Sequence, residues 1–216
     1  MKNLAKLGVT LATILMLATS CGTNKKEKET NMNNNVKEQT SEVKEQALEV
    51  LKNRRSIRKY TSEMPPAELI DKVIEAGTYA PTGMGHQSPI IVAVTDKATR
   101  DKLSQLNAQV MGRTGDPFYG APIVLVVLAD KQYPTYLYDG TLVMGNLLNA
   151  AYACGLGSCW IHRAKEVFDS AEGKALLKQW GITGDYEGIG HCILGYADGE
   201  QPQAKPRKEN YVVRIE

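Results

Sequence analysis

The chain has 216 residues, of which 43% are hydrophobic and 23% charged, a balance that excludes both a wholly disordered chain and a polytopic membrane protein. Lys and Arg total 26 against 24 Asp and Glu, and without Lys2 and Lys6 the signs balance. That neutrality lacks the basic excess by which proteins hold nucleic acid, so no nucleic-acid partner is expected.

Residues 1–20 read as a secretory signal. Lys2 and Lys6 supply the positive start, Leu7 to Ala18 is uncharged, and Ala18, Thr19 and Ser20 are small. The apolar run is shorter than the roughly 20 residues of a membrane-spanning helix. Leu17-Ala18-Thr19-Ser20-Cys21 resembles a bacterial lipobox. That resemblance implies cleavage before Cys21, lipidation of its sulfur, and an exported domain anchored to a bacterial membrane on its periplasmic side or at the cell surface. Residues 21–45 alternate Lys, Glu and Asn without an aromatic, which predicts a polar tether. Residues 46–216 are the expected folded domain.

Val43, Ala47, Val50 and Leu51 recur at helical spacing and predict a helix over 41–52. Pro65-Pro66 opens a second helix, with Gly77 as its stop. Residues 90–95 predict a strand, and Asp96 caps a helix to Val110. The apolar run 123–129 predicts a strand buried on both faces. Asp139 is expected to cap a long helix to Cys154, ended by Gly155. A helix over 171–180 and strands over 191–196 and 211–215 complete the expected elements. The irregular alternation of helices and strands predicts an α+β fold, a central mixed sheet covered by helices.

Four stretches carry candidate chemistry. Arg54-Arg55-Ser56-Ile57-Arg58 places three guanidinium forks and a hydroxyl just past a helix end, a phosphate-type donor set that also suits a solvated turn. Ala80 to Pro89 is a Gly-containing loop in which Thr82 and Gln87 offer donors and acceptors to a flat polar ring edge, a composition that equally suits an ordinary Gly-rich connection. Gly155 to His162 holds a partial G-x-G pattern, but it follows a helix and carries Trp160 at the last glycine position, which excludes a dinucleotide fingerprint. Lys205-Pro206-Arg207-Lys208 is a late basic cluster. Cys154, Cys159, His191 and Cys192 lack the paired C-x₂-C spacing of structural zinc, and no metal site is expected.

Together these stretches resemble the FMN-dependent nitroreductases. Arg54 to Tyr60 is similar to that family's opening R-R-S-x-R-x-[FY]. Ala80-Pro81-Thr82 to Gln87 resembles its A-P-[ST]…Q loop, and Asp116 to Pro122 its approach to the buried strand. Gly155 to Ile161 resembles G-L-G-S-x-W, and Lys205-x-Arg207 a late K-x-R. The resemblance implies a domain-swapped-style homodimer with FMN at the subunit interface. Arg54, Arg55, Ser56 and Arg58 would hold its phosphate and ribityl chain, with Lys205 and Arg207 closing the phosphate site. Pro81, Thr82 and Gln87 would contact the flavin, in part from the partner subunit, and Asn107 its pyrimidine edge. Trp160, Ile161 and His162 would lie beside the ring, with His162 a possible proton donor and no protein nucleophile required. The implied activity is ping-pong reduction of nitroaromatics or quinones with NAD(P)H as donor. The alternative is a lipid-anchored flavin-binding protein that uses another donor or lacks catalysis.

Overall fold

The computed structural model describes residues 43–216. The expected signal, Cys21 and most of the tether lie outside the described residues. The chain divides into two units, 1–48 and 49–216. Of the first, residues 43–48 are described and are helical, within α1 (43–53).

The second unit continues with α2 (Ala67–Thr78), β1 (Pro89–Val94), α3 (Lys97–Val110), β2 (Ile123–Asp130) and α4 (Tyr136–Ala153). β3 (Gly157–Ile161), α5 (Ala164–Asp169), α6 (Ala171–Gln179) and β4 (Tyr186–Gly195) follow. The strands form one sheet in the order β1-β2-β4-β3, every neighbour antiparallel. Among the described residues, parallel pairing is confined to the bridge between Ser56 and Ser158.

β2 explains the layering. Its side chains alternate between two apolar clusters. Ile123, Leu125 and Val127 face α2 and α4, where Val73 and Leu147 are fully buried. Val124, Val126 and Leu128 face α3 and α5, against Leu103, Val167 and Phe168. Covered on both faces, the strand reads as an unbroken apolar run.

Several expectations hold at residue level. The Asp96 side chain accepts the Thr99 N–H, as its cap role requires. The helix expected over 171–180 forms as α6, and Ser170, not foreseen as its cap, accepts the Gly173 N–H at 3.0 Å. Gly155 takes φ 75° just after α4, and the Leu156 N–H then reaches the Ala151 carbonyl at 2.8 Å.

Others are corrected. Gly77 does not stop α2 but lies inside it, where a Cβ would stand 2.6 Å from Leu147 Cδ2. It permits the close approach of α2 to α4. α4 starts at Tyr136, so Asp139 sits in its first turn and spends its carboxylate elsewhere. β4 begins at Tyr186, ahead of the expected 191. The strand expected over 211–215 does not form: the segment is exposed and pairs with no sheet edge among the described residues. β3 and α5 were not foreseen. β3 is glycine-containing and reads as a loop until β4 supplies its ladder. α5 has only six residues and no capping side chain.

Candidate functional site

The segment after α1 is laid against the sheet's β3 edge. The Ile57 N–H donates to the Ser158 carbonyl at 2.9 Å, and the Thr61 N–H to Tyr196 O at 3.0 Å. Ile57 and Tyr60 are buried, and the Tyr60 hydroxyl donates to Ile57 O. Extended backbone alternates its side chains, so burial of Ile57 turns Ser56 and Arg58 the other way. The apolar residues within this basic stretch therefore fix where the cations point.

Arg54, Arg55, Ser56, Arg58, Lys205 and Arg207 line one cleft of about 730 Å³. The Arg55 guanidinium is pinned by the carbonyls of Lys52 and Arg54 at 2.7 and 2.8 Å, while its buried Nε has no hydrogen-bond partner. Gln201 donates to Asn53 O and so ties the C-terminal tail beside the end of α1. The residue types are those of an anion site: guanidinium and ammonium donors with one hydroxyl and no carboxylate on the wall.

Arg58 also lines a second cleft of about 380 Å³, together with Trp160, Ile161 and His162 at the end of β3. Met111, Arg113, Asp116, Tyr119 and Arg163 are among the other residues on its walls. Trp160 lies against the sheet at Gly190, where a Cβ would stand 2.6 Å from its Nε1. His162 is exposed at the cleft. Six of the sequence-derived residues thus converge on the first cleft, and Arg58 joins them to Trp160, Ile161 and His162.

Asn107 plays another part. It is fully buried on α3, its Nδ2 donating to the His162 carbonyl at 2.8 Å and its Oδ1 accepting from Arg163 Nε at 3.1 Å. With both ends of the amide engaged, it holds the turn at the end of β3 from behind.

Pro81, Thr82 and Gln87 line neither cleft. Their loop, between α2 and β1, is built around Asp139. One Asp139 oxygen accepts the Gly83 N–H at 2.9 Å, and the other accepts the hydroxyls of Ser88 at 2.8 Å and Thr135 at 3.1 Å. The Thr82 hydroxyl accepts the Gln87 N–H at 3.0 Å, and His86 stacks on Tyr133. Met84 and Gln87 are held at φ 52° and 51°, a strained region that persists only where surroundings over-determine it.

Asp116 organises the opposite wall. Its carboxylate accepts hydrogen bonds from Arg100, Ser104 and the N–H groups of Phe118 and Gly120. Burial alone would raise this carboxyl, but those donors outweigh it and hold it below the ordinary Asp range. Arg100 Nε donates to Ala121 O at 2.8 Å and so fixes the same loop twice.

The thiol and metal candidates do not converge. His191 and Cys192 are neighbours on β4 and face opposite sides: His191 stacks among Phe118 and Phe168, while Cys192 lies in the α2–α4 cluster. Burial pushes the Cys192 thiol up to about 12, the behaviour of a buried apolar residue and not a nucleophile. Sequence reading missed Arg113 and Arg163, which belong to no recognisable pattern, and took Asp139 for a helix cap.

Three comparisons bear on this geometry. The nitroreductase family model matches residues 51–196. Two proteins provisionally named NADH dehydrogenase/NAD(P)H nitroreductase align with the chain. One, from Methanothermobacter thermautotrophicus, is 29% identical over 117 residues, 52% of this chain and 59% of that protein. The other, from Archaeoglobus fulgidus, is 29% identical over 163 residues, 73% of this chain and 88% of that protein. The match thus spans about three fifths of the first relative's length. Among solved structures, a nitroreductase with bound FMN from Bacteroides fragilis superposes with a TM-score of 0.73 at 26% identity, covering 79% of this chain and 98% of that one.

Proposed function

The chain belongs to the nitroreductase family, and on that premise we propose that it is an FMN-dependent oxidoreductase that takes reducing equivalents from NAD(P)H and passes them to nitroaromatics or quinones. The observation that carries the reading is the pair of clefts joined at Arg58: a cationic, carboxylate-free end beside an aromatic one at the end of β3. The buried Arg55 Nε, left without a protein partner, fits a phosphate oxygen. Arg54, Ser56, Arg58, Lys205 and Arg207 would complete the phosphate and ribityl contacts. Trp160, Ile161 and His162 would border the ring. When bound, FMN supplies the hydride and electron transfer, and the protein supplies position and charge. Asn107, by holding the His162 carbonyl, keeps the turn beside the ring in one orientation.

Dimerisation belongs to the same proposal. Tyr138 is 72% exposed on α4, Tyr79 is exposed just before the Pro81–Gln87 loop and Met84 within it, and Ile215 is 91% exposed in the tail. A second copy would cover these apolar groups and bring Pro81, Thr82 and Gln87 to its partner's flavin. Light scattering should report twice the protomer mass, and loss of FMN with deletion of 209–216 would fit a tail that crosses to the partner.

Export and lipidation at Cys21 rest on the pattern of residues 1–21 alone. Labelling of cells with a radioactive fatty acid should mark the protein, and Cys21→Ala should abolish the label. An anchored domain would meet membrane quinones, and its donor outside the cytoplasm need not be a nicotinamide.

An anaerobic titration tests the central reading. A yellow protein, bleached by NADH or NADPH and recoloured by a nitroaromatic or quinone, is the expected result. Bleaching by dithionite alone would favour the flavin-binding alternative. A protein that takes up no FMN would end both readings.

A further inference from the structure

The second cleft carries more positive charge than the proposed cofactor accounts for. Arg58 is absorbed by the shared boundary between the clefts, but Arg113 and Arg163 also line the wall. Neither forms an ion pair among the described residues. The carboxylate on that wall, Asp116, is already committed to Arg100, Ser104 and two backbone N–H groups. Arg113 sits in the exposed turn after α3, whereas Arg163 is half-buried ahead of α5.

Arg163 has a second peculiarity. Its backbone stands at φ 75° and ψ 16°, the left-handed region that glycine enters without a Cβ clash. A long cationic side chain is kept there against that steric preference. Its Nε is tethered to Asn107 Oδ1, which fixes the stem. Both terminal nitrogens of the fork remain without a protein partner among the described residues. The same cleft is lined by the side chains of Met111, Tyr119 and Trp160.

We propose that Arg113 and Arg163 form an anion-selective lip on this cleft, and that the redox substrate it favours combines a flat ring with a negatively charged carboxylate or phosphate. Guanidinium forks pair with either group in a bidentate manner, and the aromatic walls take the ring face. The inference rests on the reductase reading above and names the substrate class of that same cleft. The anion has two possible sources, the oxidising substrate or the 2′-phosphate that distinguishes NADPH from NADH.

The experiment uses the purified holoprotein and matched pairs. 4-Nitrobenzoate and 4-nitrobenzamide differ in charge on the acceptor; NADPH and NADH differ in charge on the donor. Benzoate and benzamide, which are not turned over, report binding through the flavin absorbance. The wild-type chain should favour the anionic member of at least one pair by about tenfold in kcat/KM, more at low salt than at high. The R113Q/R163Q pair should bring that ratio close to one, and R163K should retain most of it. The benzoate-to-benzamide binding ratio should fall in parallel, a change that a merely structural role would not produce. Preference within the nitro pair alone places the anion on the acceptor; preference within the nicotinamide pair alone places it on the donor. A wild-type protein that holds FMN and turns over neutral acceptors without any charge preference keeps the reductase reading and overturns this one. A protein that holds no FMN loses both.

Discussion

Asn107 engages both ends of its amide, so its replacement has consequences in two places. Asn107→Leu keeps the apolar volume but strands the His162 carbonyl and the Arg163 Nε. Unmet buried partners cost about 1–3 kcal/mol, and a urea midpoint lowered by that free energy divided by the m-value is the expected result. Because the same amide orders the turn bordering the proposed ring site, FMN affinity should fall with it. Arg58→Ala separates the effects. Arg58 is exposed and unpaired among the described residues, so its removal should leave the urea midpoint nearly unchanged. It would remove one charge-assisted contact of about 1.5–3 kcal/mol, seen as at least tenfold faster FMN loss on dialysis. Unaltered FMN retention in Arg58→Ala would count against the site assignment. At this scale residue type alone drew attention to Arg54 to Arg58, and the structure gathers Arg54, Arg55, Ser56 and Arg58 along one cleft. The sequence was not legible at Asn107, whose role depends on where β3 ends.

Two aspartates show what could be read at the scale of elements. Asp96 stands directly before a helical pattern and caps it; local signals and tertiary structure agree. Asp139 gave the same local signal, yet α4 begins a turn earlier and the side chain instead gathers Gly83, Ser88 and Thr135, two of which lie over 50 positions away in sequence. A cap needs only its own helix, whereas the Asp139 contacts exist only once α4 and the loop before β1 are packed together. β3 was hidden for the same reason, since its ladder partner β4 comes some 30 residues later in the chain. The two aspartates should also respond differently to mutation. Asp96→Ala removes only an exposed cap and should lower the urea midpoint slightly. Asp139→Ala leaves a backbone N–H and two hydroxyls without their acceptor and should cost about 2 kcal/mol or more. Amide hydrogen exchange can distinguish them. Protection should fall across residues 82–88 in Asp139→Ala and stay unchanged there in Asp96→Ala.

For the whole molecule, the balance of stability against pH turns on a buried imidazole. His191 is fully enclosed between the aromatic side chains of Phe118 and Phe168. Neither ring nitrogen finds a well-aligned partner, and the backbone of Ile161, across the β3–β4 ladder, offers only a weak one. Burial lowers its pKa to about 4, and the Arg163 charge pushes the same way. The unfolded chain titrates near the ordinary value of 6.5, so between 6.5 and 4 it binds a proton that the folded chain refuses. Stability is therefore full above 6.5 and declines as the pH falls toward 4. The loss is of the order of a few kcal/mol by linkage. Asp116 works in a separate window. Its folded carboxyl lies below the ordinary 3.8, so its contribution is present above that value and is lost only at more acid pH. His191→Leu should remove the slope between 6.5 and 4 while keeping the Asp116 limb below it. Since the substitution also removes two unsatisfied ring nitrogens from an apolar cluster, the variant should be at least as stable as the parent at pH 7 and clearly more stable at pH 5. Urea midpoints measured across that range decide the matter: a slope that survives in His191→Leu would assign the titration to another group.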